Sequence, residues 1–145
     1  MTNSTNCGGQ RDVTRNLRKT NHSTRKGLLY DPWDHAEQLG VEVVTRPLRT
    51  AHGLWLPDHR TILIHSRLRA GAQRLILAHE IGHADLAHPD DRPKHERQAD
   101  EYAARNLICP RELEAAYRWA PDEGALVREL GVTTRLFRAY VLSAA

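Results

Sequence analysis

The chain has 145 residues, a length that allows one domain or a domain with a tail. Hydrophobic residues make up 40% of the sequence and charged residues 27%, and no apolar stretch is long enough to predict a transmembrane helix. Two cysteines, Cys7 and Cys109, are too few for a disulfide framework, and we expect no structural bridge. The first thirty residues lack the apolar core of a secretory signal, so we expect a cytoplasmic protein.

The positive charge is concentrated at the start of the chain. Residues 1–26 carry six basic side chains against Asp12 alone, a net charge of +5, so the remaining residues carry −2 of the overall +3. The Asn, Ser, Thr and Gly content of this segment predicts a disordered basic tail over 1–26, followed by one folded domain over 27–145. Such a tail could contact nucleic acid electrostatically, but it is more often a solvated leader. We therefore do not expect direct nucleic-acid binding.

The next elements in chain order are a helix, a short sheet and further helices. Asp31 and Pro32 are typical of a helix start, and Gly40 is typical of its end. β-branched residues and turn residues then predict three strands, over 41–45, 53–56 and 61–65, with a hairpin turn at 57–60. Helical patterns follow over 70–88, 96–107, 111–119, 123–130 and 133–142. This order predicts an α+β fold with a small, largely antiparallel three-stranded sheet.

The motif that carries chemistry is HEIGH at residues 79–83, inside the helix predicted over 70–88. His79 and His83 are one helical turn apart, so both imidazoles can reach one metal ion at the roughly 2.0–2.1 Å that zinc requires. Glu80 can hold a water on that metal and accept its proton. The helix is otherwise apolar, where unpaired imidazoles and a carboxylate are costly to bury. Two partly exposed histidines capping an acidic side chain are the less favoured alternative.

A zinc site of this kind needs a third protein ligand and an open fourth position. The downstream candidates are His88, His95, Glu96, Asp100 and Glu101. The metzincin pattern would require Gly at position 86 and His at position 89, where this chain has Leu86 and Pro89, so that class is excluded.

Glu96 fits the third position better than the other candidates. A helix beginning there can return antiparallel after the Pro-containing break at 89–93 and offer its carboxylate to the histidines. Asp100 lies four residues later on the same helix face. It can accept the remaining N–H of a liganding histidine.

Three motifs in this region resemble the ImmA/IrrE metallopeptidases. Residues 77–83 read LAHEIGH, residues 96–104 read ERQADEYAA, and residues 107–110 read LICP. The corresponding family patterns are a His-Glu-hydrophobic-Gly-His helix, then Glu-x-x-Ala-Asp/Asn-x-aromatic-Ala-Ala, then Leu-Leu-Met-Pro. The resemblance covers roughly residues 28–110. It departs at Gln98, where many members have Glu, and at Cys109, where Met is usual.

The resemblance implies a gluzincin-like, minimal zincin core with zinc bound by His79, His83 and Glu96. Glu80 would be the catalytic base, and Asp100 would support the metal site. Members are typically bacterial or carried on phages and mobile elements, and they cut transcriptional repressors inside the cell. The resemblance therefore implies a protein substrate, namely a DNA-binding repressor, and no membrane partner.

Two further features could contact a substrate. An extended peptide could pair with the strand at 53–56 or the strand at 61–65 by β-augmentation. His88, often matched by a histidine in similar proteins, could contact the substrate or its oxyanion, or simply cap the helix end, and capping is favoured. Gly82 leaves room beside the metal, although helix packing explains a glycine there equally well.

The end of the chain suggests a rival function. Residues 126–137 have the helix, Gly turn and helix order of a helix-turn-helix motif. However, residues 116–145 hold four Arg against three acidic residues, which is a weak charge balance for phosphate binding. We favour C-terminal helices over 111–145 that close the domain. The alternative is a zinc-binding, DNA-associated regulator without proteolytic activity.

Overall fold

The computed structural model describes residues 30–145, so the tail predicted over 1–26 lies outside the described residues. The described chain separates into two compact units, one formed by Pro32–Ala103 and another that contains Ala104–Ala145. The single domain over 27–145 stays a prediction.

The first unit contains a short helix, three strands and two longer helices. The short helix is α1 (Pro32–Gln38). The strands are β1 (Glu42–Arg46), β2 (Gly53–Leu56) and β3 (Thr61–His65), with a 3-10 turn at Pro57–His59 between the last two. The longer helices are α2 (Ala70–Asp85) and α3 (Pro93–Leu107), whose last residues belong to the second unit.

The sheet is mixed, with β3 as its central strand and the order β1-β3-β2. β2 and β3 form the predicted antiparallel pair, whereas β1 runs parallel to β3. The chain reverses once between β1 and β2 and again at the 3-10 turn, so β1 and β3 point the same way. The α+β class and the three strands are confirmed. The sheet is less antiparallel than predicted because β1 pairs with β3 instead of β2.

Helix α2 forms the core of the first unit. Leu77 and Ile81 are fully buried in a cluster with Ile62 and Ile64 of β3. The consecutive residues 80–83 are all buried, so the helix is covered on more than one face, as the sequence predicts. Glu80 and His83 of the HEIGH motif are therefore buried together with the apolar residues of this helix.

Helix α2 ends earlier than predicted, in a Schellman motif. The backbone N–H of His88 donates to the carbonyl of His83 at 2.9 Å, and that of Ala87 donates to the carbonyl of Ala84 at 3.2 Å. Ala87 has a φ of 54°, in the left-handed region where glycine is usual. Because the left-handed residue is an alanine, the sequence contains no signal for this turn. The turn brings the backbone of His88 back onto the last turn of α2.

The second unit contains three helices with well-defined ends. They are α4 (Pro110–Tyr117), α5 (Glu123–Leu130) and α6 (Thr134–Ala144). Asp122 and Thr133 cap α5 and α6 by accepting backbone hydrogen bonds at 2.8 and 3.2 Å. Gly131 ends α5 with a φ of 69°. Within residues 30–145, no helix combines the length and apolar character needed to cross a membrane.

Cys109 differs from the expectation for the cysteines. It is buried immediately before α4 and is disulfide-bonded. A low cysteine count argues against a framework of several bridges but does not prevent a single one. Cys7 lies outside the described residues.

Candidate metal centre

The candidate ligands are carried by α2 and α3, which pack closely at Gly82. A Cβ at this position would lie 3.0 Å from both the Cα and the carbonyl oxygen of Ala99, which is fully buried. Real Cβ atoms essentially never come closer than this, so a larger residue would press against the backbone of α3. Of the two explanations for this glycine, the structure supports helix packing.

Three potential metal ligands converge between α2 and α3. His79 Nε2 lies 3.2 Å from His83 Nε2. Glu96 Oε1 lies 2.9 Å from His83 Nε2, and its Oε2 lies 3.4 Å from His79 Nε2. Tetrahedral zinc with ligands at about 2.0–2.1 Å separates its donor atoms by about 3.4 Å. The donor set therefore fits a divalent metal of this size.

Of the five candidates for the third ligand, Glu96 is the one that clusters with His79 and His83 within residues 30–145. One possible ligand atom from each of these three residues lies within 4.8 Å of the other two. The other four do not belong to this cluster. His95 Nδ1 contacts Asp90, and His88 contacts His83 through its own Nδ1. The ligand roles of His79, His83 and Glu96 remain predictions that this geometry supports.

Asp100 contacts the second ring nitrogen of His79. Its Oδ1 lies 2.9 Å from His79 Nδ1, and both side chains are mostly buried. An ionised carboxylate only accepts hydrogen bonds, so His79 Nδ1–H donates to Asp100. The lone pair of His79 Nε2 then faces His83 and Glu96, the other two candidate metal ligands. Burial lowers the pKa of His79, but the Asp100 hydrogen bond and the charges of Glu80, Asp100 and Glu96 outweigh it, so the pKa is raised. This excess of negative charge favours a cation at the site.

His83 has a different partner behind its ring. Its Nδ1 lies 2.9 Å from Nδ1 of His88, whose Nε2 lies 3.1 Å from Oε1 of Gln98. Burial, followed by the charge of His79, lowers the pKa of His83, although Glu96 opposes this. Both ring nitrogens of His88 contact protein groups, and His88 also lines the cavity at this site, so the substrate or oxyanion contact suggested by the sequence stays a prediction. Its backbone N–H does take part in ending α2, which is the favoured capping role.

Glu80 lies where β2 crosses closest to α2. A Cβ at Gly53 would be 2.4 Å from Ile76 Cγ2 and 3.0 Å from Glu80 Oε1, so the strand reaches the helix only because residue 53 is glycine. The backbone of Trp55 donates a hydrogen bond to the Glu80 carboxylate. These contacts hold the carboxyl group beside the start of β2.

The environment of Glu80 changes its acidity strongly. Burial raises the pKa of Glu80 to about 7. The charge of His79 opposes this rise, the charge of Glu96 adds to it, and the Trp55 hydrogen bond opposes it. A carboxyl group with a pKa near neutrality can both accept and return a proton at ordinary pH.

A cavity of about 430 Å³ opens at this site. Its lining includes His79, Glu80, His83 and Glu96 together with residues of β2. β3 pairs on both of its edges, so it has no edge left for the substrate pairing suggested by the sequence. β2 pairs with β3 on one edge, and no strand within residues 30–145 pairs with its other edge.

Sequence reasoning missed several residues that shape the site. The sequence pattern marks Gly53 and Trp55 as strand residues and Gln98 as a departure from the ImmA/IrrE pattern, and it does not indicate their contacts with Glu80 and His88. The left-handed turn at Ala87 gave no sign in the sequence. The approach of β2 to α2 depends on tertiary packing, which the local pattern does not encode.

The α+β core and its three convergent donors have the arrangement of a metallopeptidase domain. The chain belongs to the Peptidase M78 family, because the model of that family, described as the IrrE N-terminal-like domain, matches residues 36–139. The resemblance to the ImmA/IrrE metallopeptidases is thereby confirmed, and membership of this family implies a metal.

Two similar proteins carry the name radiation response metalloprotease IrrE. The one from Deinococcus radiodurans is 48% identical over 52 residues, which are 36% of this chain and 16% of the relative. The one from Deinococcus deserti is 42% identical over 52 residues, which are 36% of this chain and 18% of the relative. The matches thus span less than a fifth of the length of these relatives.

Proposed function

We propose that this chain is a zinc-dependent endopeptidase that makes limited cleavages in an intracellular protein. The observation that carries the proposal is the convergence of His79, His83 and Glu96 beside Glu80 on one cavity. Two imidazole nitrogens and one carboxylate form a donor set that suits zinc and leaves a fourth position for a water or substrate. Membership of the metallopeptidase family supports peptide-bond hydrolysis as the reaction.

Zinc, when bound, would supply a Lewis acid that lowers the pKa of a water molecule and polarises the scissile carbonyl. Glu80 holds the attacking water and takes its proton as the new carbon–oxygen bond forms. The protonated Glu80 then returns this proton to the leaving amine as the carbon–nitrogen bond breaks.

The substrate, in this proposal, binds as an extended segment along the edge of β2 that faces away from β3. This strand lines the same cavity as Glu80, and its backbone reaches the catalytic carboxylate through Trp55. Backbone pairing holds a peptide in register without reading its sequence. β2 has four residues and offers few pairing positions, so specificity must also come from docking outside the cavity.

The proposed substrate class is a DNA-binding transcriptional repressor of a phage or mobile element, cut in the cytoplasm. This part of the proposal rests on the family resemblance. The residues of the site supply the metal ligands and the base, and they carry no feature that selects a repressor.

The test is co-expression with a panel of candidate repressors, followed by immunoblotting for their full-length forms. Three chains are compared: wild type, Glu80→Gln, and Glu101→Gln as a matched carboxylate change on α3. We expect a repressor to be lost with wild type and Glu101→Gln and retained with Glu80→Gln. Equal loss with Glu80→Gln would indicate host proteolysis, and digestion of unrelated unfolded proteins would indicate a general peptidase.

The purified chain distinguishes this function from the DNA-associated regulator. On α6, Arg138 pairs with Glu123 at 2.8 Å, so part of the basic surface is already neutralised. We expect no salt-sensitive retention on DNA. Zinc binding with DNA retention and no cleavage of any repressor would favour the regulator instead.

A further inference from the structure

We propose that Gln98 and His88 form a hydrogen-bond relay that fixes the tautomer and ring orientation of His83. They would act as positioning residues for the metal site, because both influence the metal through the ring of His83. The inference rests on the proposed function only where it assigns a metal to His83. The proton on Nε2 of His88 that it predicts belongs to the chain with or without metal, because it depends on the contact with Gln98.

The direction of the relay follows from its outer end. Gln98 presents its Oε1 to Nε2 of His88 at 3.1 Å, and an amide oxygen can only accept, so His88 Nε2–H must donate. A neutral imidazole carries a single N–H, which leaves Nδ1 of His88 as an acceptor. That acceptor lies 2.9 Å from His83 Nδ1, so His83 donates from Nδ1. The lone pair of His83 is then on Nε2, which faces Glu96 and His79.

The opposite arrangement would damage the site. A proton on Nδ1 of His88 would be donated to His83 Nδ1 and would leave the only proton of neutral His83 on Nε2. A protonated Nε2 cannot bind a metal. The same arrangement would set the Nε2 lone pair of His88 against Oε1 of Gln98. The acceptor at residue 98 therefore selects the tautomer that is competent to bind a metal.

The position of His88 is held from several sides, which a relay requires. Its backbone N–H is bonded to the carbonyl of His83 through the Schellman motif at Ala87. Its ring stacks on His95 with centroids 4.4 Å apart and an interplanar angle of 16°. His95 is in turn held by Asp90, and only 6% of His88 is exposed. The ring consequently has little freedom to turn away from His83.

The two histidine ligands would then be supported in different ways from the same helix. Asp100 of α3 contacts His79 directly with a carboxylate. Gln98 of α3 supports His83 through the ring of His88 with a neutral amide. Outer hydrogen-bond partners of this kind typically change metal affinity by about 10–100-fold when removed.

The first experiment measures zinc affinity of the full chain by chelator competition. Gln98→Leu removes the acceptor, and we expect it to weaken zinc binding by about 10–100-fold. Gln98→Glu keeps an oxygen acceptor at this position and should restore most of the affinity. Arg97→Leu, an exposed neighbour on α3, is the matched control and should bind as wild type does. Equal affinity of Gln98→Leu and wild type would overturn the relay.

The second experiment locates the protons by nitrogen-15 NMR of the histidine rings, with and without zinc. We expect His88 to carry its proton on Nε2 in both states. His83 should carry its proton on Nδ1 when zinc is bound, because zinc then takes the Nε2 lone pair that otherwise faces Glu96 Oε1 at 2.9 Å. A proton on Nδ1 of His88 in the wild-type chain would overturn the relay, even if Gln98→Leu failed to fold. A chain that binds no zinc would refute the proposed function, and the His88 spectrum would still decide the relay.

Discussion

Gly82 of α2 and Ala99 of α3 touch backbone to backbone, at a distance that leaves no space for a single added carbon. On α2 the contact lies directly before His83, and on α3 it lies three residues after Glu96. Because two donors come from α2 and the third from α3, the separation of the helices sets the spacing of the donors. Gly82 therefore affects the spacing of the three metal ligands without itself contacting a metal.

Gly82→Ala should push the two helices apart and weaken zinc binding by at least about tenfold, because a misplaced third donor lies outside zinc's narrow distance range. The metal-free chain should also lose about 1–3 kcal/mol of unfolding free energy through overpacking. Chelator competition and urea denaturation measure the two effects. Gly71→Ala is the control on the same helix, because no heavy atom lies within 4 Å of its added Cβ. It should lower neither the zinc affinity nor the free energy of unfolding. Wild-type zinc affinity in Gly82→Ala would contradict this account.

Gly53→Ala should reduce peptidase activity far more than it reduces zinc affinity. The added Cβ would meet Ile76 Cγ2 at 2.4 Å and Glu80 Oε1 at 3.0 Å, so β2 or the base must move while the donors on α2 and α3 need not. We expect kcat/KM to fall by about 10–100-fold, part of the roughly 10²–10⁴-fold that a positioned base contributes. Cleavage assays and zinc titration of the same preparation check the prediction.

The double variant Gly53→Ala with Ile76→Ala separates the two contacts. It removes the methyl group that meets the new Cβ and leaves the contact with Glu80 unchanged. If displacement of Glu80 causes the loss, activity stays low in the double variant. Recovery to the level of Ile76→Ala alone would show that only the strand packing had been disturbed.

The metal-free chain should become less stable as the pH rises from about 4.5 to about 7, because Glu80 loses its proton in this range. Its pKa is 4.5 in the reference state and about 7 in the folded chain, so the folded state binds the proton more tightly in this window. Stability therefore falls with rising pH. At about 1.4 kcal/mol for each pKa unit, the upper limit of this loss is about 3 kcal/mol above pH 7.

Glu80→Gln should remove this dependence, because glutamine stays neutral. We expect the variant to be more stable than wild type at pH 8 and similar to it at pH 4.5, measured by urea denaturation in the presence of a chelator. Parallel stability curves for the two chains across this range would mean that Glu80 titrates normally.

Much of the first unit could be predicted from local pattern. The bounds of β2 and β3 agree with the β-branched runs and the Pro-Asp turn between them, and the buried helix agrees with its continuous apolar content. The parallel pairing of β1 could not be predicted, because strand order depends on contacts distant in sequence. The early end of α2 could not be predicted either, since Ala87 occupies a conformation that alanine rarely adopts.

The candidate site likewise has features that the local sequence predicts and features that depend on tertiary packing. The spacing of His79 and His83 follows from helix geometry, and the approach of Glu96 follows from an antiparallel return after the break at 89–93. The pairing of His83 with His88 could not be predicted, because it depends on the turn that folds the chain back. The burial that raises the pKa of Glu80 depends on β2, which is 24 or more residues away in the chain.

Glu96→Ala should abolish stoichiometric zinc binding, whereas His95→Ala and Glu101→Ala should retain it. Glu96 is the candidate whose oxygens lie within 3.4 Å of both histidine Nε2 atoms, so its loss removes a donor rather than a neighbour. Metal analysis of untagged protein purified in parallel measures the zinc content per chain. About one zinc per chain in Glu96→Ala, or its loss in His95→Ala, would reject the assignment of the third ligand.

Asp100→Asn should keep the fold but weaken zinc binding by about 10–100-fold, the usual effect of removing a ligand's outer partner. Asparagine has nearly the same size and can still place an oxygen near His79 Nδ1, so the change isolates the negative charge. The pKa of His79 should also fall in the metal-free chain, because the negative charge of Asp100 would no longer help to outweigh burial. A histidine NMR titration reports this pKa, and chelator competition reports the affinity.

Glu101→Gln removes a carboxylate from the next position of α3 and should leave both values near wild type. If Asp100→Asn bound zinc as tightly as wild type and His79 titrated at the same pH, Asp100 would be a packing residue with no influence on the metal site.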